Sequence, residues 1–69
     1  MNESIKEVIE ALKEQADGIQ YRIDVELRKA RKCQTATDKL FHETRAQVLR
    51  KRRRVVVARY LDLEDSISA

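Results

Sequence analysis

Apolar residues recur along the first half of the chain at steps of three and four positions. The series consists of Ile5, Val8, Ile9, Leu12, Ala16, Ile19, Ile23, Leu27 and Ala30. This spacing places the side chains on one stripe of an α-helix. Ser4 and Glu7 have the capping-box spacing that begins a helix. The pattern predicts a first helix over about residues 4–33, with a break at Gly18 as an alternative.

A second amphipathic segment follows, and it carries apolar or small side chains on one side. These are Leu40, Phe41, Thr44, Val48 and Val55. The segment between the two is poor in large apolar residues, and Thr35 with Asp38, or Thr37 alone, has the chemistry of a helix cap. We predict a turn at about residues 34–37 and a second helix over about residues 38–64, followed by a frayed tail.

These elements predict an all-α fold, an antiparallel helical hairpin that forms a single domain over residues 1–69 and dimerises into a four-helix bundle. The apolar stripe keeps its phase from Ile5 to Val55 at about 100° per residue, and no glycine or proline marks the turn. A single long helix in an extended coiled coil therefore stays open as the alternative. Beyond the stripe, a face rotated by about 100° carries the next apolar residues, Val56, Tyr60, Leu63 and Ile67.

Chain length and cysteine content point to self-association. A chain of 69 residues buries a modest core, and its one cysteine, Cys33, excludes an intrachain disulfide. One cysteine and one histidine cannot complete a zinc shell, so we expect no metal and no cofactor. A homodimer remains as the source of stability. Its predicted interface comprises Ile5, Leu12, Ile19, Ile23, Leu27, Leu40, Phe41, Val48 and Val55, and Cys33 is expected as a small buried hydrophobe or a contact to the dimer mate.

The composition does not favour an enzyme or a membrane protein. No apolar stretch reaches the length of a membrane span and no secretory signal is visible, so we expect a cytoplasmic protein, or a nuclear one in a eukaryotic or viral setting. The sequence has no glycine-rich phosphate loop. His42 lacks a predicted pocket and catalytic partner, and we expect its side chain to be exposed to solvent.

Charge gives the strongest indication of function. The net charge is +3, and it is divided into −3 over residues 1–17, +9 over residues 18–61 and −3 over residues 62–69. The middle block contains five consecutive cations, Arg50 to Arg54. Five residues turn a helix through more than one revolution at about 100° per residue, so some of these cations must point toward the core. An anionic partner relieves the repulsion among them, and nucleic acid is the most abundant large polyanion in a cell.

We therefore predict a small regulatory protein that grips the phosphate backbone of a duplex with weak sequence preference. Duplex RNA is favoured over DNA, because shape and backbone recognition of RNA needs no helix in the major groove. The predicted contacts are Arg28, Lys29, Arg31, Lys32, Arg45, Arg50, Lys51, Arg52, Arg53, Arg54 and Arg59. In architecture alone, such a hairpin resembles plasmid- or virus-encoded RNA-binding dimers. The alternative is a coiled-coil adaptor or small chaperone whose cations meet an acidic protein partner.

Overall fold

Two long helices joined by a short turn make up the fold. A computed structural model describes the backbone of residues 2–68 and the side chains of residues 3–68. Helix α1 comprises Asn2–Lys32 and helix α2 comprises Ala36–Ser68, with no β-strand among the described residues. The helices run antiparallel in a rod with extents of 52 × 14 × 11 Å. The helical hairpin is thus confirmed, and the alternative of one continuous helix is wrong.

The turn forms without glycine or proline because no residue in it needs an unusual backbone conformation. Cys33 N donates to Ala30 O at 3.3 Å, which closes the last turn of α1. Thr35 caps α2, since its Oγ1 accepts from Asp38 N at 3.2 Å and its carbonyl accepts from Lys39 N at 3.1 Å. No non-glycine residue among those described has a positive φ. The predicted Thr35 cap is confirmed, and the turn is one to two residues earlier than predicted.

The two helices pack along a seam in which residues alternate at steps of three and four, the spacing of a left-handed coiled coil. On α1 the seam consists of Ile5, Ile9, Leu12, Ala16, Ile19, Ile23, Glu26 and Ala30. On α2 it consists of His42, Ala46, Leu49, Arg53, Val56, Tyr60, Leu63 and Ile67. Each of these residues is buried or half-buried, and Ile23 is the most deeply buried large side chain, at 1% exposed. The core is therefore a narrow strip between two helices.

Both ends of the hairpin differ from the prediction. Helix α1 already includes Asn2, so Ser4 lies inside the helix rather than at its cap. At the other end the tail predicted to fray is helical through Ser68, because Leu63 and Ile67 belong to the seam and hold this segment against α1. The hydroxyl of Ser68 also donates to Glu64 O at 2.9 Å. Ala69, the last residue of that prediction, lies outside the described residues.

Candidate nucleic-acid interface

The five consecutive cations of α2, called here the basic block (Arg50–Arg54), point in three different directions. Arg53 lies on the seam, half-buried, and its Nε is buried without a hydrogen-bond partner among the described residues. Arg52 is exposed and lines grooves on one face of the hairpin. Arg50, Lys51 and Arg54 are exposed and line neither of these grooves. The prediction that some of this charge points toward the core is confirmed for Arg53.

The basic block lies in a long stretch of α2 without compensating charge. From Thr44 to Leu61 the sequence has no acidic residue and seven arginines or lysines. Among all fifteen lysines and arginines of the chain, only Lys13 and Arg45 lie within 4.0 Å of a carboxylate in the described residues. The remaining cations have no carboxylate within that distance in the described part of the chain, so their charge raises the electrostatic potential of the surface, which is the property that attracts polyanions.

The second predicted cation cluster lies at the turn end of the hairpin. Arg28, Lys29, Arg31 and Lys32 are all exposed, and they occupy the last two turns of α1. Cations here are favourable because the carboxyl end of a helix carries a partial negative charge. Arg28 Nε also donates to Asp24 O at 3.4 Å. Two clusters on different helices, one at the turn and one near the middle of α2, therefore form separate patches.

Arg45, another predicted contact, is engaged within its own chain. Its Nε lies 3.5 Å from Glu26 Oε1, and its guanidinium lies over the Phe41 ring at 5.4 Å from the ring centroid. Arg45 is 58% exposed, so one face of the guanidinium remains open to solvent. Arg59 is exposed on the same helix. Arg45 thus carries a partly neutralised charge, whereas Arg59 resembles the outward cations of the basic block.

Glu26 and His42 form a polar pair across the seam that the sequence analysis missed. His42 Nδ1 lies 2.7 Å from Glu26 Oε2 and donates to it when that nitrogen carries a proton. Glu26 is buried, at 7% exposed. The hydrogen bond from His42, followed by the positive charges of Arg45 and Lys29, holds the pKa of Glu26 below its ordinary value although burial opposes this.

The expectation that His42 is exposed is wrong, because the antiparallel pairing brings it to Glu26. The two residues lie eight positions before and eight positions after Gln34, in the turn. This symmetric spacing about the turn is the signal in the sequence that identifies the pair. Phe41 packs edge-on against the His42 ring, with centroids 5.2 Å apart, and helps to fix its orientation.

The open end of the hairpin is joined by an ion pair between the helices. Lys13 Nζ lies 3.1 Å from Glu64 Oε1 and 5.7 Å from the centroid of the Tyr60 ring. The hydrogen bond and the charge of Glu64 raise the pKa of Lys13 above its ordinary value. Both side chains remain substantially exposed, so this pair contributes to orientation more than to stability.

One face of the hairpin carries a continuous groove, called here the apolar groove. It consists of two open depressions of 840 and 610 Å³ that share Arg22, Leu49 and Arg52. Along the α2 side of this groove, Phe41, Val48 and Val55 are 55%, 47% and 53% exposed. Large apolar side chains in a continuous exposed row are unusual for a surface that contacts only water.

The residues of the predicted dimer interface lie on two different surfaces of the hairpin. Its α1 members lie toward the hairpin interior, all of them buried or half-buried: Ile5, Leu12, Ile19, Ile23 and Leu27. Its α2 members are all exposed: Leu40, Phe41, Val48 and Val55. The stripe predicted to be continuous across both helices therefore belongs to two different surfaces, because the seam of α2 passes through His42 and Ala46 instead.

Comparison of the chain with protein-family models, curated proteins and solved structures finds no significant match. Neither helix of the described chain is both long and apolar enough to cross a lipid bilayer. No group of three potential metal-ligating side chains occurs among the described residues.

Proposed function

We propose that this protein binds the phosphate backbone of a nucleic-acid duplex, with duplex RNA preferred over DNA. The observation that carries the proposal is the uncompensated charge of α2, which has seven cations and no acid between Thr44 and Leu61. Only Arg45 among these seven lies within 4.0 Å of a carboxylate in the described chain. Arginine predominates, and its planar guanidinium suits bidentate contacts to phosphate.

The outward cations of the basic block are the centre of the proposed contact. Arg50, Lys51 and Arg54 are exposed, and neither the seam nor the apolar groove engages them. These three residues span about 6 Å of the helix axis at 1.5 Å per residue, and Arg59 is a further exposed cation about 180° around the helix from Arg50. A compact group of exposed cations on a rigid helix suits contacts to phosphates and supplies no base-specific contact by itself.

The shape of the hairpin supports the proposed preference for RNA. Its two helices lie side by side along almost the whole length, so α2 does not project as an isolated reading helix. Sequence readers of DNA insert one helix into the major groove, whereas duplex RNA is recognised largely through its backbone and 2′-hydroxyls. A side-on contact with α2 fits the second mode.

A protein-interaction adaptor is the second candidate, and the exposed apolar row of α2 favours it. In that case the cations pair with carboxylates of another protein, and binding to a duplex is weak and nonspecific. Binding measurements across a range of salt concentrations discriminate between the two candidates, because release of counterions from a duplex gives a steep salt dependence.

The test uses fluorescence anisotropy with a labelled duplex RNA, the same sequence as duplex DNA, and a single strand. The test variant replaces Arg50, Lys51 and Arg54 by glutamine. Each lost phosphate contact lowers the slope of log affinity against log salt by about 0.9 on B-DNA, so we expect a decrease of about three. Helix content measured by circular dichroism should not change, because these side chains are exposed.

The turn-end cluster provides a matched control with the same change of net charge. Replacing Arg28, Arg31 and Lys32 by glutamine also removes three exposed cations. We expect a smaller loss of affinity than for the basic-block variant, since Asp24 and Asp38 lie close to this cluster in the sequence. Equal losses would mean that binding follows net charge alone, and unchanged affinity in the basic-block variant would exclude α2 as the contact surface.

A further inference from the structure

The charges of α1 are arranged so that the helix complements a second copy of itself running in the opposite direction. Residues 2–17 carry five acids and two bases, whereas residues 18–32 carry two acids and five bases. Two copies aligned antiparallel bring the acidic half of each α1 against the basic half of the other. A parallel alignment brings like charges together and is opposed by repulsion.

Specific exposed residues follow the same symmetry about Gly18. Glu14 and Arg22 lie four residues before and after Gly18, and Glu7 and Lys29 lie eleven residues before and after it. All four side chains are exposed, and none forms an ion pair within the described chain. In an antiparallel α1 pair centred on Gly18, Glu14 therefore meets Arg22 of the second copy and Glu7 meets its Lys29.

Nothing within the hairpin requires a glycine at position 18. Its φ is not positive, and a Cβ added at this position meets no atom within 4 Å. Glycine inside a helix costs about 1 kcal/mol relative to alanine. Gly18 lines the apolar groove, where the absence of a side chain allows another helix to approach closely. A second α1 crossing at this level uses that space.

We propose that the apolar groove binds a second copy of the chain in antiparallel orientation, with the two-fold axis beside Gly18 and α1 packed on α1. The two-fold axis lies in the plane of the interface and is perpendicular to the long axis of the hairpin. A rotation about this axis packs α1 on α1 and α2 on α2 of the second copy, each pair antiparallel. It also brings the exposed Val48 of one copy to the level of Val55 of the other. The proposal does not depend on nucleic-acid binding.

The proposed dimer leaves the nucleic-acid surface open and doubles it. The groove takes Arg45 and Arg52 into the interface, while Arg50, Lys51 and Arg54 remain outside it. Because the basic block lies at the level of Gly18 and Ile19, the two blocks come together near the two-fold axis. Repulsion between the two Arg52 side chains opposes association there, so the apolar contacts and the Glu14 and Glu7 pairs must exceed it.

Sedimentation equilibrium without nucleic acid tests this arrangement by charge reversal. Glu14→Arg and Arg22→Glu each replace two attractive pairs in the dimer by two repulsive ones, and we expect each to raise the dimer Kd by at least about tenfold. The double variant Glu14→Arg/Arg22→Glu restores both pairs with reversed sign, and its Kd should return to within about threefold of the native value. Measurements at about 0.1 M salt keep screening moderate.

Asp17→Arg is the matched control, with the same charge change on the side of α1 that turns away from the groove. It is exposed and forms no ion pair within the described chain, so the dimer Kd should not change. Gly18→Gln is a second test variant, because it favours the helix in the monomer but fills the space beside the axis. It should weaken the dimer while circular dichroism shows retained helix.

Several results would overturn the proposal. A native chain that sediments as a monomer up to about 1 mM has no dimer of useful affinity. A dimer that tolerates both single reversals uses another face or orientation. Failure of the double variant to recover, or an equal effect of Asp17→Arg, excludes the specific pairing of Glu14 with Arg22.

Discussion

Replacing Arg53 by methionine should stabilise the hairpin, because it removes a charged group from the seam. Methionine is unbranched, fills irregular spaces in a core and has a helix propensity similar to that of arginine. In the native chain Arg53 occupies a seam position, and its Nε is buried without a hydrogen-bond partner in the described residues. The substitution removes that unsatisfied donor and retains an apolar stem against α1.

The magnitude follows from how much of the guanidinium is buried. An unsatisfied buried donor costs about 1–3 kcal/mol. Arg53 is only half-buried, and Nε is the one nitrogen of its side chain that is both buried and unpartnered. We therefore expect a gain near the lower end, about 1 kcal/mol in the free energy of unfolding. For a domain of this size, such a gain raises Tm by about 4–8 °C.

Thermal and urea unfolding followed by circular dichroism, at one fixed protein concentration, measure this gain. Arg54→Met is the control, because Arg54 is exposed beside Arg53 and should change the free energy of unfolding by less than about 0.5 kcal/mol. In the duplex-binding assay we expect Arg54→Met to have the larger effect. It should lower the slope of log affinity against log salt by about one, whereas Arg53→Met should leave this slope unchanged. A Tm below that of the native chain for Arg53→Met, with Arg54→Met unaffected, refutes the reasoning.

Two further changes test the turn and the polar pair. Thr35→Ala removes the cap of α2 and should lower the free energy of unfolding by about 1 kcal/mol, measured by urea unfolding. Thr35→Ser keeps a hydroxyl at the cap and should retain most of the stability of the native chain. Since the pKa of Glu26 is lowered in the folded state, its stabilising effect is present above the ordinary value of 4.5 and is lost as pH falls below it. Tm measured from pH 7 to about pH 3 should therefore decrease less in Glu26→Gln than in the native chain, and equal pH dependence would contradict this assignment.

The sequence predicts the elements of this fold well, because each has a local cause. The apolar spacing of α1 and the cap chemistry of Thr35 and Asp38 depend on residues that are close together in the chain. The break between the helices was correctly expected although no glycine or proline marks it, since a turn without positive φ needs neither. The helix ends were less accurate, because they depend on tertiary contacts such as that of Ile67 with the seam.

The packed face of α2 was not predictable from hydrophobicity alone, because polar residues lie in its seam and apolar residues lie outside it. His42 and Arg53 occupy seam positions, whereas Phe41, Val48 and Val55 are exposed. A search for apolar residues selects the second set. The seam becomes visible only when its three-and-four spacing is followed through the polar positions. Helix α2 therefore has two sides with apolar residues: one faces α1, and the other is available for contact with a further surface.

The Glu26–His42 pair also restricts the register in which the two helices can pack. Apolar seam positions repeat every heptad, so they accept α2 in more than one axial position. A shift of one heptad brings Leu49 to the level of Glu26 in place of His42, and the buried carboxylate then loses its closest donor. The native register is therefore selected by a polar contact near the turn. That same register fixes the level at which the basic block crosses α1, beside Gly18, where the proposed two-fold axis lies.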